Sequence, residues 1–253
     1  MEIANKFALI TGASGSLGQA LALTLAEQGW SLILHYSHGE ERIQTLLNTL
    51  TQAYSRQEFS TWQADFSKLS TLESSCQTAL TKLTKLNLLV NNAALDSYCQ
   101  IDDLTVTEIQ NVLNVNIAAP MLIAKACLPK LKQATSLKQT AQIINISSIW
   151  GNYGASMEVL YSASKGAINS LTKALAKELY SFPIKVNAVA PGMFTSSMNA
   201  IFTDNEQSDF VNEHSLLQRQ GTAKEIASVI AFLASDQASY VNGQILEVSG
   251  SYL

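Results

Sequence analysis

An α/β fold, a doubly wound parallel sheet of about seven strands with helices on both faces, is what this sequence predicts, and two observations predict it. Short β-rich runs alternate with helical patterns along the chain, which is how parallel strands joined by crossover helices are written. The chain has 253 residues, 47% of them apolar, enough for one large core, and no Gly, Pro or Ser tract marks a linker. Residues 1–253 therefore read as a single domain. The strand-like runs are residues 7–10, 32–34, 59–63, 88–90, 143–146, 186–189 and 245–248. Between them, capping-box signatures punctuate the helices: Ser37 with Glu40, Ser70 with Glu73, Thr105 with Glu108 and Thr222 with Glu225. Residues 193–220 fit neither pattern and read as a lid or substrate-binding loop.

The formal net charge of -4 argues against a nucleic-acid or anionic-membrane surface, either of which would show a clustered basic excess. Cys76, Cys99 and Cys127 are odd in number and widely spaced, so they suggest neither a disulfide framework nor a metal cluster. The first strand-like run begins within a few residues of Met1, which leaves no room for an address. Apolar stretches look too short or too interrupted to span a bilayer. A cytoplasmic protein with a small-molecule partner is expected.

The first strand runs into Thr11-Gly12-Ala13-Ser14-Gly15-Ser16-Leu17-Gly18, followed by a helical pattern. A strand, a glycine-rich turn and a helix N-terminus make a phosphate cradle, because backbone N–H groups and the positive end of the helix dipole face the turn. In the first βα unit of an alternating chain, this points to a nucleotide.

Further along stand Tyr161 and Lys165, four residues apart on a helical pattern marked by Ile168, Leu171, Leu175 and Leu179. Residues at i and i+4 share a helix face, so a protonated lysine can sit beside the phenol. Its charge is expected to pull the tyrosine pKa down from about 10 and make the hydroxyl usable in proton transfer.

Taken together these motifs resemble the short-chain dehydrogenase/reductase family, over essentially the whole chain. The match runs in order through Thr11, Gly12 and Gly18, Asp65, Asn91-Asn92-Ala93-Ala94, Asn116, Ser148, Tyr161 and Lys165, and Asn187-Ala188-Val189-Ala190-Pro191-Gly192. Two departures stand out. The family's middle glycine falls on Ser16, and the C-terminal Val-Asp-Gly-Gly is replaced by Val248-Ser249-Gly250-Ser251.

The resemblance implies a Rossmann-type sheet and a nicotinamide cofactor, with no metal. It assigns cofactor contacts to Gly12, Ser14, Gly15, Ser16, Leu17 and Gly18, to Asp65 and Phe66, to Asn92, Ala93 and Ala94, and to Tyr161 and Lys165. Pro191 and Gly192 follow, with Thr195 or Ser196 near the carboxamide. No carboxylate ends the second strand, where an acid would select NAD. NADP is expected instead, held by Ser37 and His38 with Arg42 as a further candidate, although Ser37 could cap a helix and Glu40 and Glu41 oppose a phosphate. A local turn-forming role is the competing reading for Asp65, and the resemblance favours the adenine contact.

By the same resemblance Ser148 orients a substrate carbonyl, Tyr161 protonates it, Lys165 supports both tyrosine and ribose, and Asn116 anchors a relay water. Ser147 rivals Ser148, and Asn116 could simply bend a helix. Met198, Ile201, Phe202 and Phe210 could cover an apolar substrate or merely pack a lid. The overall run looks most like 3-oxoacyl-[acyl-carrier-protein] reductases, for which Lys130, Lys132, Lys138 or Lys185 would meet an acidic carrier. Another carbonyl or pteridine reductase, or a non-catalytic NADP-binding sensor, are the alternatives, and a homotetramer or dimer is the family expectation.

Overall fold

The computed structural model describes residues 6–136, 139–196 and 203–252. Seven strands form one sheet, β1 (Lys6–Ile10), β2 (Trp30–Tyr36), β3 (Phe59–Gln63), β4 (Leu88–Asn91), β5 (Ala141–Ile146), β6 (Ile184–Pro191) and β7 (Ile245–Val248). Their order is β3-β2-β1-β4-β5-β6-β7, with every pairing parallel. Each sequence-predicted strand lies inside one of them. The order reverses between β1 and β4, and the crevice at such a switch point, beyond the carboxyl ends of the strands, is where an open α/β sheet binds ligands.

Strand residues alternate between two layers, as a period of two requires. Ala8 and Ile10 of β1 join Leu32, Leu34, Leu88 and Val90 under helices α1 (Ser16–Glu27), α2 (Glu40–Ala53) and a C-terminal helix at Ala223–Leu233. Leu9 faces the other way, with Ile33, Leu89, Ile143 and Val186, against α3 (Leu72–Ala79) and a helix at Ala119–Ala134. Leu9, Ile10, Leu21, Leu25 and Leu88 are fully buried, each stabilising the fold by about 1.5–3 kcal/mol. Burial on both faces explains why the inner strands read as near-continuous apolar runs. Within β2 one buried polar side chain is an imidazole, His35, which is 2% exposed.

Helix α4 (Val106–Leu113) passes through a π-helical turn, Asn114–Ala118, into α5 (Ala119–Ala134). This run, Val106–Ala134, is long and apolar enough by composition to cross a membrane, contrary to the sequence reading, but half of its apolar window is buried inside the fold. Helices α6 (Trp150–Tyr153) and α7 (Val159–Glu178) follow β5. The α7 face turned inward is Leu160, Ser164, Lys165, Ile168, Asn169, Thr172 and Ala176, so Leu171 and Leu175 lie at its margin, half-buried.

Residues 193–220 are less irregular than expected, because α8 (Asp204–His214) forms there behind a capping box of Thr203 and Glu206. Helix α9 (Ala223–Leu233) opens with the predicted box of Thr222 and Glu225 and packs along α1. The box at Thr105 and Glu108 also forms. Those at Ser37 and Ser70 do not. A left-handed Gly39, φ +82°, starts α2 two residues beyond Ser37, and a 3₁₀ turn, Leu69–Thr71, absorbs Ser70. Thr222→Ala removes the α9 cap and should cost about 1 kcal/mol, read as a melting temperature lowered by about 2–4 °C in calorimetry.

Candidate functional site

A cleft of about 1110 Å³ opens over the carboxyl ends of the strands. At its centre the ends of β1 and β4 are tied together by side chains. Thr11 N–H donates to the Val90 carbonyl at 3.0 Å, and its Oγ1 accepts from the N–H groups of Asn92 and Ala93 at 2.9 and 3.0 Å. Asn92 Nδ2 donates back to the Thr11 and Gly12 carbonyls. Gly12 sits at φ +66°, and a Cβ there would lie 2.9 Å from Ala93 Cα. Only glycine allows this turn, on grounds of both conformation and space. A Cβ on Gly18 would meet the Gly12 carbonyl oxygen and lie 2.7 Å from Ala13 Cα, so α1 presses directly on the turn.

Gly15 is the N-cap of α1 and Ser16 its first residue. The N–H groups of a helix's first turn have no partner within the helix, and Ser14, Gly15, Ser16, Leu17 and Gly18 all line the cleft. The turn therefore fits a pyrophosphate, with Ser16 among its lining residues. Ser37, His38, Arg42, Asp65 and Phe66 also line the cleft, as do Asn92, Ala93 and Ala94. Asp65 behaves first as a turn former. Its Oδ1 accepts from Ser67 N–H and Oγ at 3.0 and 2.7 Å and its Oδ2 pairs with Lys68 at 3.3 Å. The Ser67 bonds hold its carboxyl below the usual carboxylate range.

On the opposite side, α7 brings Tyr161 and Lys165 to the end of β5. Lys165 is 3% exposed, donates to the Ile146 carbonyl at 2.9 Å and lies 5.4 Å from the Tyr161 ring centre. Its close seat needs Gly151, where a Cβ would meet the Lys165 carbonyl carbon at 2.7 Å. Ser147 and Ser148 are separated by their bonds. Both line the cleft, but Ser147 Oγ donates to Asn169 Oδ1 of α7 at 2.6 Å, while Ser148 hydrogen-bonds the Tyr161 hydroxyl.

Asn116 lies behind this group, in the π-helical turn. Its Oδ1 accepts from Leu95 N–H at 2.7 Å, and its Nδ2 donates to the Leu95 carbonyl and to Ser164 Oγ, which itself donates to the Tyr161 carbonyl. It thus clamps the loop after β4 to α7. Pro191, Gly192 and Ser196 line the cleft; Thr195 does not, its hydroxyl reaching Gln220 at 3.5 Å on the exposed side. Met198, Ile201 and Phe202 lie outside the described residues. Phe210 of α8 does reach the cleft.

The electrostatics differ from the sequence expectation. Enclosure by protein pushes the Tyr161 phenol well above its ordinary pKa, helped by the nearby charges of Asp96 and Glu158 and opposed by the Ser148 bond. Burial lowers Lys165 to about 8, with Asp96 acting against it. Desolvation of a buried phenol outweighs the lysine charge, which is directed at the Ile146 carbonyl.

Two carboxylates at the site escaped the sequence reading. Glu158 precedes Tyr161 by three residues, the N-cap of α7, and burial then Asp96 raise it to about 7 against a bond from Trp150. Asp96 follows the loop that Asn116 clamps and is raised chiefly by burial, against a bond from Ser97 N–H and the charge of Lys165. The i, i+3 spacing to Tyr161 was the one available signal for Glu158. The sequence reading named Phe210 but missed its aromatic neighbours: Trp150, Tyr252 and His214 join it along the cleft through ring contacts of 4.8–6.4 Å. Tyr252 is brought there only by the folded C-terminus.

The basic residues expected near an acyl-carrier surface are elsewhere. Lys130 bonds the Leu83 carbonyl, Lys185 bonds the Ala238 carbonyl in a buried position, and Lys132 lies over Phe182. Lys138 lies outside the described residues.

Glu158 is more readily protonated in the fold than in the unfolded chain, whose value is near 4.5, so its contribution to stability is lost as pH rises toward and through about 7. Glu158→Gln should therefore raise the melting temperature above about pH 7 and change it little below 4.5. A uniform shift across that range would disprove the buried setting of this carboxyl.

A family model described as Enoyl-(Acyl carrier protein) reductase matches residues 12–252. "Uncharacterized oxidoreductase YmfI" of Bacillus subtilis is 37% identical over 98% of this chain and 99% of its own. 3-oxoacyl-[acyl-carrier-protein] reductase FabG of Staphylococcus epidermidis is 32% identical over 97% and 98%. Among solved structures, a short chain dehydrogenase from Burkholderia cenocepacia in complex with NADP superposes with a TM-score of 0.86 at 28% identity, over 97% of each chain.

Proposed function

Since the chain belongs to the short-chain dehydrogenase/reductase family, we propose that it is an NADPH-dependent carbonyl reductase, with activity like that of the 3-oxoacyl-[acyl-carrier-protein] reductases among its relatives. One observation carries the reading: Ser148, Tyr161 and Lys165 open onto the same cleft as the glycine turn of residues 12–18. A phosphate cradle and a proton donor on facing walls are what hydride transfer to a carbonyl needs.

Bound NADPH would supply the hydride that the carbonyl carbon accepts. Ser148 Oγ donates a hydrogen bond to the carbonyl oxygen and orients it. Tyr161, held protonated by its surroundings, gives that oxygen its proton. Charged Lys165 then faces the phenolate and steadies it. Asn116 keeps the loop carrying Asp96 in register with α7 and would anchor a water that feeds a proton relay from solvent behind Lys165. Asp65 and Phe66 take the adenine, and Ser37, His38 and Arg42 the 2′-phosphate, in keeping with cleft walls that carry no carboxylate at the end of β2.

The 3-oxoacyl reading rests on the relatives. A second reading, another carbonyl or pteridine reductase, is favoured by a cleft lined by Trp150, Phe210 and Tyr252 together with Asp96 and Glu158, which suits a planar substrate with N–H donors better than an anion. We place the protein in the cytoplasm, where Cys76, Cys99 and Cys127, free thiols here, stay reduced. By family expectation it works as a dimer or tetramer.

The test is NADPH oxidation over acetoacetyl thioesters, quinones, pterins and simple ketones, repeated with NADH. Tyr161→Phe should lower kcat by at least about 10²-fold with NADPH binding retained. Tight NADPH binding without turnover of any carbonyl would instead favour a sensor, and faster turnover with NADH would refute the assignment of Ser37 and His38. A second measurement addresses the charge of the site. Asp96→Asn should raise turnover of free acetoacetate relative to its neutral thioester, and an unchanged ratio would show that Asp96 does not bear on substrate charge.

A further inference from the structure

His35 is a buried imidazole inside a sheet strand that the chemistry above does not use, yet both of its ring nitrogens are engaged. Gly12 N–H donates to Nδ1 at 3.1 Å, and Nε2 is 3.1 Å from the Ala64 carbonyl. The ring stacks on Phe66 at 3.9 Å between centres and 14° between planes, with Trp62 tilted against it at 4.8 Å. An amide N–H can only donate and a carbonyl can only accept. The pair is therefore satisfied by one form of the side chain, the neutral tautomer with its proton on Nε2. Burial holds the ring neutral, lowering its pKa to about 4.

The partners at the two ends are not equivalent pieces of scaffold. Gly12 is the left-handed residue of the turn that forms the phosphate cradle. Ala64 immediately precedes Asp65 and Phe66, the proposed adenine wall. The Ala13 N–H bond to the His35 carbonyl, 2.7 Å, adds a main-chain tie between β2 and the turn. One side chain thus spans the gap between the pyrophosphate turn at the end of β1 and the adenosine wall at the end of β3, across the intervening strand.

We propose that His35 is a positioning residue for the cofactor, which bolts the pyrophosphate turn to the adenine wall so that the adenosine-diphosphate half of the dinucleotide meets one preformed surface. The proposal rests on the reading that the cleft holds NADPH. Loss of the bolt leaves the proton donor untouched, because Tyr161 and Lys165 hang from β5 and α7, not from β1 to β3. Its effect falls on cofactor affinity.

The experiment compares His35→Phe, His35→Asn and His35→Gln with the wild type by direct NADPH titration, steady-state kinetics and melting temperature. His35→Phe keeps the stack on Phe66 and deletes both ring bonds. It should raise the dissociation constant and the KM for NADPH roughly tenfold to hundredfold, while kcat at saturating NADPH stays within about twofold. His35→Asn can still accept from Gly12 and should recover most of the affinity; His35→Gln, whose amide is displaced by one methylene, should recover less. In nitrogen-15 NMR of the wild type at neutral pH, His35 should carry its proton on Nε2.

Wild-type NADPH affinity in His35→Phe, with only the melting temperature lowered, would make His35 a packing residue and overturn the proposal. Equal affinities in the Asn and Gln variants, or a proton on Nδ1, would overturn it even if the Phe variant fails to fold. Wild-type protein that binds neither NADPH nor NADH would overturn the dinucleotide reading and the proposal with it.

Discussion

The cleft depends on how the ends of β1 and β4 are held where the strand order reverses. Parallel strands diverging to helices on opposite faces leave a gap at that point, and here Thr11 and Asn92 bind its two sides through backbone and side-chain bonds to Val90, Ala93 and Gly12. Because those bonds bring Ala93 within 2.9 Å of where a Gly12 Cβ would be, the turn can be closed only by a glycine with positive φ. The position of α1, and with it the direction of its N-terminal N–H groups, follows from that closure.

Across the cleft a second set of constraints positions the proposed proton donor. Lys165 is drawn to the Ile146 carbonyl at the end of β5, Gly151 admits α7 closely enough for this to happen, and Ser147 is bound to Asn169. Ser148 is left to bond the Tyr161 hydroxyl. The Asn116 clamp then ties α7 to the loop after β4, so the two halves of the site are not independent. The same enclosure that orders Tyr161 also raises its pKa, which keeps the phenol in the protonated state that a reductase requires. The price in carboxylate desolvation falls on Glu158 and Asp96, both held above their ordinary values.

The elements that were legible in the sequence share a local cause. Alternating apolar runs located all seven strands, since period and length are set by neighbours along the chain. The boxes at Thr105 and Thr222 formed as read, because each is complete within four residues. The box at Ser37 failed through a left-handed Gly39 that moves the helix start, and α8 went unread because its mostly polar run carries little apolar periodicity. Within the site, the glycine turn and the Tyr161–Lys165 pair were visible as motifs on single elements.

By itself the sequence determined the sheet, its helices, the nucleotide turn and the family whose motifs it follows, because each is encoded in short runs whose geometry is local. Tertiary structure alone decided the rest. It separated Ser147 from Ser148 by their partners, Asn169 for the first and the Tyr161 hydroxyl for the second, and Thr195 from Ser196 by which lines the cleft, and it reversed the expected sign of the Tyr161 shift, since desolvation depends on everything packed around the hydroxyl. It also assembled His35 with Gly12 and Ala64, and Trp150 with Phe210 and Tyr252, from segments far apart in the chain. Such contacts exist only once the strands have been ordered, so no pattern along the chain could announce them.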